Sequence, residues 1–488
     1  MLQAYRRFAA ADLTQPLPFA VLAVVFFAVR LPWIDYGHGT DPDAWRVALT
    51  AHHLLDTGDY FPSRLPGNPL HEFVTTLLIP GGWIATNLAT AAVSLAGVYL
   101  FARIVKLHAL PEPAVLVTGF AFTPLLLINS IATMDYMWAL TALLGAYYCA
   151  LTGRPLWAGV LIGMTAGFRF QGAIVWLPLA YLAWRSGRRD DLVPMTAAAA
   201  GMALIAYSPV LVVYGLDFFN YYDASVGYQD VLRLLGKEAL GVIGGLGVLV
   251  ALAMSYARLR ALPRDALADP VLGAWLILIA IYFVSFSRLP HEIAYLIPVF
   301  PFGFLLMGRY LTRTALAVAV GGILLAGVVD ITTPDDGLGL TSATLGKGLV
   351  LSNRDTMSLQ RNFVEEVVDA DVPPHSVVMT GFIFPQLAVR ERDRFDTGIL
   401  ERDYGAISML SDRGEAVDTG RDVRYVWLLT YETFEALRSQ GYSMFMVPDA
   451  AGSTAALYDY RPAIYGTQFI ALEQAAPSIA KGTSETDR

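Results

Sequence analysis

The 488-residue chain holds a single cysteine. Cys149 lies inside an apolar run, so an intramolecular disulfide and any cysteine-based zinc site are excluded. Charge is scarce as well: Asp, Glu, Lys and Arg make up 16% of the residues, against about 25% in an average soluble protein. With 55% of residues hydrophobic, that composition excludes a disordered, a collagenous or an ordinary cytosolic chain. There is no internal repeat, and the one low-complexity stretch is the polar last twelve residues, which read as a frayed terminus. No Gly-rich phosphate loop follows any strand-like run, so neither a nucleotide cofactor nor a nucleic-acid partner is expected.

What is present is long apolar runs, and a charge balance that differs along the chain. Residues 1–331 carry 20 Lys and Arg against 19 Asp and Glu, whereas 332–488 carry 14 against 23, so the net −8 belongs almost wholly to the tail. A membrane crossing needs about 20 mostly apolar residues. The first part offers eleven such runs: 17–34, 73–102, 113–130, 133–151, 155–168, 171–184, 193–215, 239–257, 271–286, 293–310 and 314–331. The pair 155–168 and 171–184 is short and reads either as two crossings or as a re-entrant hairpin. Placing the N-terminus inside puts 13 basic residues in inner loops and six in outer ones, as positive charge retained in the cytoplasm requires. An odd number of crossings then exports the tail. The expected fold is a polytopic α-helical membrane domain, 1–331, followed by an extracytoplasmic α/β domain, 332–488, in the cell (inner or plasma) membrane with a cytoplasmic N-terminus. No cleaved signal peptide is expected.

The tail reads as soluble α/β. HSVVMTGFIF (375–384) and DVRYVWLLTY (422–431) are buried strands by their β-branched and aromatic content, and a helical ETFEALRSQ separates the second from YSMFMVP (442–448).

Acidic residues of the membrane part concentrate on the outer side, 13 of 19, and so do six of the seven histidines in the chain, which places any chemistry there. The outer loop 35–72 is the richest stretch. Asp43 to Leu55 has helical periodicity suited to a helix lying on a membrane surface, and Pro42 marks its start. Asp41 and Asp43 read as a solvated cap of that helix or as a general base with an orienting partner. His71 and Glu72 stand where a span begins, either in contact with headgroups or as functional groups. Asp135 reads as an N-cap or as a site residue, and Arg169 in GFRFQG as a snorkelling cation or a phosphate ligand. Arg30 is the main charge inside a span, close enough to its end to snorkel. The loop 217–238 carries five aromatic residues suited to an interfacial belt.

The order of acidic pair, amphipathic helix, LLDTGDY (54–60), proline, PGNPLHE (66–72) and then a span resembles the first periplasmic loop of the GT-C glycosyltransferases, which include the aminoarabinose transferases of lipid A and the protein O-mannosyltransferases. In the aminoarabinose enzymes an Asp after a proline is followed sixteen residues on by a D-S-G-D-like turn and thirteen further by a Glu. Asp43, Asp59 and Glu72 keep both spacings. Where that family often has a basic residue and prolines after the Glu, this chain has Phe73 and Val74. NSIATMDYMWAL, with Asp135, resembles the pattern opening a later span. SRLPHEIAYLIP, with Arg288, His291, Glu292 and Tyr295, resembles the charged residue and Y-x-L-P signature ahead of a late span.

The resemblance implies a GT-C-like fold of about eleven crossings and a glycosyltransferase. It would move a sugar from a polyprenyl-phosphate donor, with inversion, to a hydroxyl of a protein, lipid or glycan acceptor. It implies Asp43 as base or metal ligand, with Asp41 as an additional acid and Glu72 as the second loop carboxylate; Arg288, with Arg169 beside it, would hold the donor phosphate. Asp43, Glu72 and His71 are also the candidate ligands of a divalent ion, and such donors permit magnesium, manganese or zinc. Besides the polyprenyl-phosphate sugar, membrane lipids are expected partners. Two rival classes are a transporter or flippase of lipid-linked sugars, which usually shows repeated halves and midplane charges, and a membrane-anchored binding protein acting through the tail.

Overall fold

Proline decides where the apolar runs become helix. The helices Pro16–Arg30, Pro69–Leu78, Pro113–Phe122, Pro124–Asn129, Pro155–Phe168 and Pro270–Arg288 all carry it in their first turn, where its missing N–H costs nothing. The computed structural model describes residues 2–64, 66–216, 231, 233–290, 292–332, 342–399, 414–427, 429, 431–447, 460–465 and 469–475. They fall into two compact units. One comprises 1–39 and 50–356, and the other 40–49 and 357–488.

The first unit is helical. Among the described residues, four of its helical segments are long and apolar enough to cross a membrane: Pro16–Tyr36, Pro69–Leu107, Arg189–Tyr214 and Pro270–Arg288. A fifth results if Gly241–Met254 and Tyr256–Ala268, bent by 73°, act as one. Shorter apolar helices are Pro113–Phe122, Tyr136–Leu151, Pro155–Phe168 and Arg313–Leu325. The chain is thus a polytopic membrane protein. The run 171–184 is a 3-10 turn, Phe170–Val175, leading into helix Trp176–Arg185. The run 314–331 is corrected at its end: the helix stops at Leu325, and Val329–Thr332 (β1) pairs antiparallel with Ser342–Leu345 (β2). A short apolar run rich in Val and Ile fits either state by hydropathy alone.

Arg30 does not snorkel; it is 1% exposed. The helix from Pro113 breaks at Thr123, whose extended backbone precedes Pro124, and the break strands the last carbonyls of Pro113–Phe122. The Arg30 guanidinium fills that gap. It donates to the Ala121 carbonyl at 2.8 Å, Ser130 Oγ at 2.6 Å and the Phe26 carbonyl at 3.2 Å, and lies on the Phe26 ring.

Helix Pro155–Phe168 packs on Leu192–Tyr214 through small residues four apart. A Cβ on Gly159 would lie 2.2 Å from the Met195 carbonyl oxygen, and one on Gly163 would lie 2.5 Å from the Met202 Cβ. Such close backbone contact fixes the C-terminal end of Pro155–Phe168, where Arg169 follows.

The second unit is an α/β layer. Its sheet runs, among the described residues, in the order β4 (Asp396–Ile399), β5 (Gly414–Asp418), β6 (Val423–Val426), β3 (Ser376–Met379), β7 (Ser443–Met446), β9 (Phe469–Ala475) and β8 (Tyr460–Tyr465). The centre β6-β3-β7 is parallel and the flanks antiparallel. Val377, Val378, Tyr425, Phe445 and Met446 from the central strands meet Val364, Val367 and Phe434 from the helices Leu349–Asp369 and Tyr431–Ser439 in one buried core. The two expected strands are shorter than the runs suggested. After Met379 the chain turns into helix Phe384–Arg390, and the strand in 422–431 ends at Val426. Strand and buried helix are equally apolar there, so composition did not separate them.

Candidate functional site

The loop ahead of helix Pro69–Leu78 folds back onto the first turn of that helix because a buried carboxylate demands donors. Glu72 is fully buried. It accepts from the Ser63 backbone N–H at 2.8 Å, from Ser63 Oγ at 2.5 Å and from the Tyr60 hydroxyl. Gly67 makes the return possible. Its φ is +85°, a Cβ there would press on Pro62 and Val210, and its carbonyl accepts from the Tyr207 hydroxyl at 3.1 Å.

That clamp holds Arg64, between Ser63 and the prolines, in reach of Asp135. Asp135, also fully buried, precedes helix Tyr136–Leu151 and accepts from Arg169 Nη1 at 2.7 Å and Arg64 Nη2 at 3.3 Å. One carboxylate is thus shared by two guanidiniums. The Arg169 guanidinium lies 4.0 Å from the Tyr136 ring centroid and 4.6 Å from that of Tyr295. Its Nη2 donates to the Tyr136 hydroxyl at 3.2 Å, which in turn donates to Glu292 at 3.2 Å. Arg169, Tyr136 and Tyr295 border a cavity of about 20 Å³, lined also by Leu143, Tyr282 and Pro298. That is room for about one water molecule.

Sequence-expected residues therefore gather in part. Asp135, Arg169, Glu292 and Tyr295 form one group with Arg64 and Tyr136, which sequence reasoning missed. Arg288 is exposed at the end of its helix. His291 lies outside the described residues, as does most of the aromatic stretch 217–238. The overlooked signal for Tyr60 and Ser63 was the need of a carboxylate at an apolar helix start for nearby hydroxyls; for Arg64, it was a lone cation set between prolines.

His71 is buried, with its ring edge toward Trp138 at 6.0 Å between centroids and Nδ1 without a hydrogen-bond partner among the described residues. Both Glu72 oxygens are taken by Tyr60 and Ser63. Among the described residues no three His, Cys, Asp or Glu side chains come together to hold a metal. The donor set at His71 and Glu72 does not fit the divalent-ion site expected from sequence.

The acidic pair belongs to the second unit. Asp41 caps the helix Pro42–Thr57: its Oδ1 accepts from the Asp43 N–H at 2.9 Å, and its carbonyl from the Ala44 N–H at 3.1 Å. Asp43, one residue into the helix, faces Arg46 at 3.3 Å. Arg46 lies 4.9 Å from the Trp427 ring centroid, and Arg390 lies 4.7 Å from that of Trp45, so the pair rides on the packed framework of this unit. The geometry separates two carboxylates that sequence left equivalent: one is committed to a cap, and the other stands in the first turn beside a cation.

No protein-family model matches the chain, and no curated protein matches it significantly. Solved structures do. The chain is similar to ArnT from Cupriavidus metallidurans in the apo state, with a TM-score of 0.57 and 15% identity over 93% of this chain and 98% of that one. Against ArnT from Cupriavidus metallidurans bound to undecaprenyl phosphate the TM-score is 0.57 and identity 16%, over 95% of this chain and 99% of that one. At such identity the likeness is one of fold. The likeness to these structures covers the architecture of nearly the whole chain.

Proposed function

We propose that the protein is a glycosyltransferase that takes a sugar from a polyprenyl-phosphate donor and passes it, with inversion at the anomeric carbon, to an acceptor hydroxyl on the outer face of the membrane. The observation that carries this reading is the triad of Arg64, Arg169 and Asp135 in a polytopic helical unit. Two largely shielded guanidiniums gathered on one buried carboxylate suit an anionic headgroup attached to an apolar tail. The fold supports it, since a chain of the same architecture has been crystallised with undecaprenyl phosphate.

In the proposed reaction the acceptor oxygen attacks the anomeric carbon as the bond from that carbon to the phosphate oxygen breaks. Asp43 receives the acceptor's proton; Asp41 is excused by its capping duty. Polyprenyl phosphate departs with its negative charge held by Arg169 and Arg64, with Arg288 a further ligand, and charge stabilisation of this kind is usually the largest catalytic term. The cavity beside Arg169 is too small for a phosphate, so a ring of Tyr136 or Tyr295 swings aside as the donor enters. Glu72 acts as a positioning residue that fixes the loop carrying Arg64. Arg30, the charge most suggestive of a transport path, is consumed by carbonyls and a serine, which speaks against the transporter reading.

We also propose that the N-terminus is cytoplasmic and the second unit extracytoplasmic, from the basic inner loops. The test of function is incubation of the purified full chain with polyprenyl-phosphate-linked pentoses, aminopentoses and hexoses. Release of polyprenyl phosphate with sugar transfer to an envelope extract is expected, and no transfer from any of these donors overturns the reading.

A further inference from the structure

The second unit contains a cavity that the reaction above does not use. It measures about 330 Å³ and lies wholly within that unit. This is at the lower end of the roughly 300–1,000 Å³ common for small-molecule sites. Its walls come from two distant stretches. Thr40, Pro42 and Trp45 form one side, and the helix Leu349–Asp369 and the segment after β3 supply Gln360, Phe363, Phe382 and Gln386.

Three features of the lining point to one ligand chemistry. Gln386 is 4% exposed, yet its carboxamide has no hydrogen-bond partner among the described residues. Its amide lines the cavity and keeps both a donor and an acceptor for a ligand offering the complementary pair. Gln360 uses its amide nitrogen on the Thr40 carbonyl at 3.0 Å and so keeps its oxygen for a donor. The remaining walls are ring faces and aliphatic groups, with Phe382 52% exposed at the rim, far more than a packing role requires. Among the described residues, no Lys, Arg, Asp, Glu or His lines the cavity. Neutral amides among flat rings, without charge, match a sugar ring: its C–H face lies on an aromatic face and its vicinal hydroxyls pair with carboxamides. A phosphate or a carboxylate finds no counter-charge there.

The position adds a reason. Thr40, Pro42 and Trp45 interleave with Asp41 and Asp43, so whatever occupies the cavity is held by the segment that carries the proposed base. We infer that this cavity is the acceptor subsite and that the acceptor is a neutral saccharide, engaged by Gln386, Gln360 and the rings of Phe382 and Phe363. The part of this inference that concerns transfer rests on the glycosyltransferase reading; the saccharide site itself does not.

The test uses the full chain in nanodiscs, without donor, and reads Trp fluorescence and saturation-transfer NMR. The probes are linear neutral oligosaccharides of mannose, glucose, galactose or arabinose, two to six units long. Saturable binding of at least one series is expected, weakened at least tenfold by Gln386→Met and by Phe382→Ala. Phe382 is half-exposed, so its variant folds even if the Gln386 variant does not. Absence of saturable binding by every series, or binding that neither variant weakens, overturns the inference. So does preferential binding of anionic glycans or of Ser/Thr-rich peptides that displace the saccharides. Saccharide binding with the expected variant losses, but no transfer from any polyprenyl-phosphate sugar, leaves the site standing and removes the enzyme reading. Transfer that Gln386→Met and Phe382→Ala leave untouched does the reverse.

Discussion

Asp135 and Arg169, 34 positions apart in the chain, meet at 2.7 Å with the carboxylate fully buried. Neither helix start nor loop explains a charge in either place by itself; each is tolerable because of the other. Arg169→Gln removes the proposed phosphate ligand and is expected to lower kcat/KM for a polyprenyl-phosphate sugar by about 10²-fold or more. Asp135→Asn removes the carboxylate that the two guanidiniums share. It is expected to destabilise the membrane unit by about 3–5 kcal/mol, read as a lower melting temperature in detergent.

Asp41 and Asp43 are expected to part company on mutation. Asp43→Asn should cut kcat by about 10²–10⁴-fold with the protein still inserted. Asp41→Asn keeps a capping side chain and should retain most activity, while Asp41→Ala should cost about 1 kcal/mol of stability. Equal losses of kcat in Asp43→Asn and Asp41→Asn would return the assignment of the base to open choice.

Glu72 is expected to behave as a positioning group. Glu72→Gln should raise KM for the donor through a loosened Arg64 and leave the acidic limb of the pH–rate profile where it lies in the wild type. Ser63→Ala, which keeps the carboxylate, should show a smaller change of the same kind. A shifted acidic limb in Glu72→Gln would instead make Glu72 the proton acceptor.

His375 and Asp422, which enter β3 and β6 with positive φ, bond at 2.6 Å, with Tyr442 stacked on the imidazole. The hydrogen bond to Asp422 raises the His375 pKa, and the same bond lowers that of Asp422. The histidine's contribution to stability is complete below its unfolded value of about 6.5 and fades as pH rises through the raised folded value. The aspartate's is complete above about 3.9 and fades as pH falls through its lowered folded value. Hydrogen exchange at the Ser376 and Ser443 amides should therefore be slowest between about pH 4 and 6.5 after correction for intrinsic rates, and His375→Gln should flatten that profile. A wild-type profile already flat would dismiss the pair.

Topology has its own check. Reporter fusions at residues 188 and 400 should report opposite sides of the membrane. Signals from the same side would remove one crossing and reverse the proposed side of the second unit.

Much of the helical framework was legible because apolar runs and prolines are local signals. The start of Pro155–Phe168 and the helix Pro42–Thr57 follow from them directly. Val329 to Thr332 was misassigned because strand and span share hydropathy, and β5 and β8 passed unnoticed because they carry little of it. At the site, the carboxylates were visible as residue types in a patterned loop. Their partners were not: Arg64 reaches across 71 positions to Asp135, and Arg30 across 91 to Ala121. Pairings of that range are decided by packing, which composition and spacing do not encode.

Trp45, 1% exposed, is counted among the largest buried side chains and has the Arg390 guanidinium on its ring. It reaches the second unit from a point more than 300 positions earlier in the chain. The tail is therefore not a detachable module. A fragment beginning at 332 or 357 would expose a hole where residues 40–49 belong, and its failure to fold or to bind would say nothing about the intact protein. Coexpression of that fragment with the N-terminal part, as two complementing pieces, is the way to study it, and any graft of this tail onto another membrane protein has to bring the ten-residue segment along.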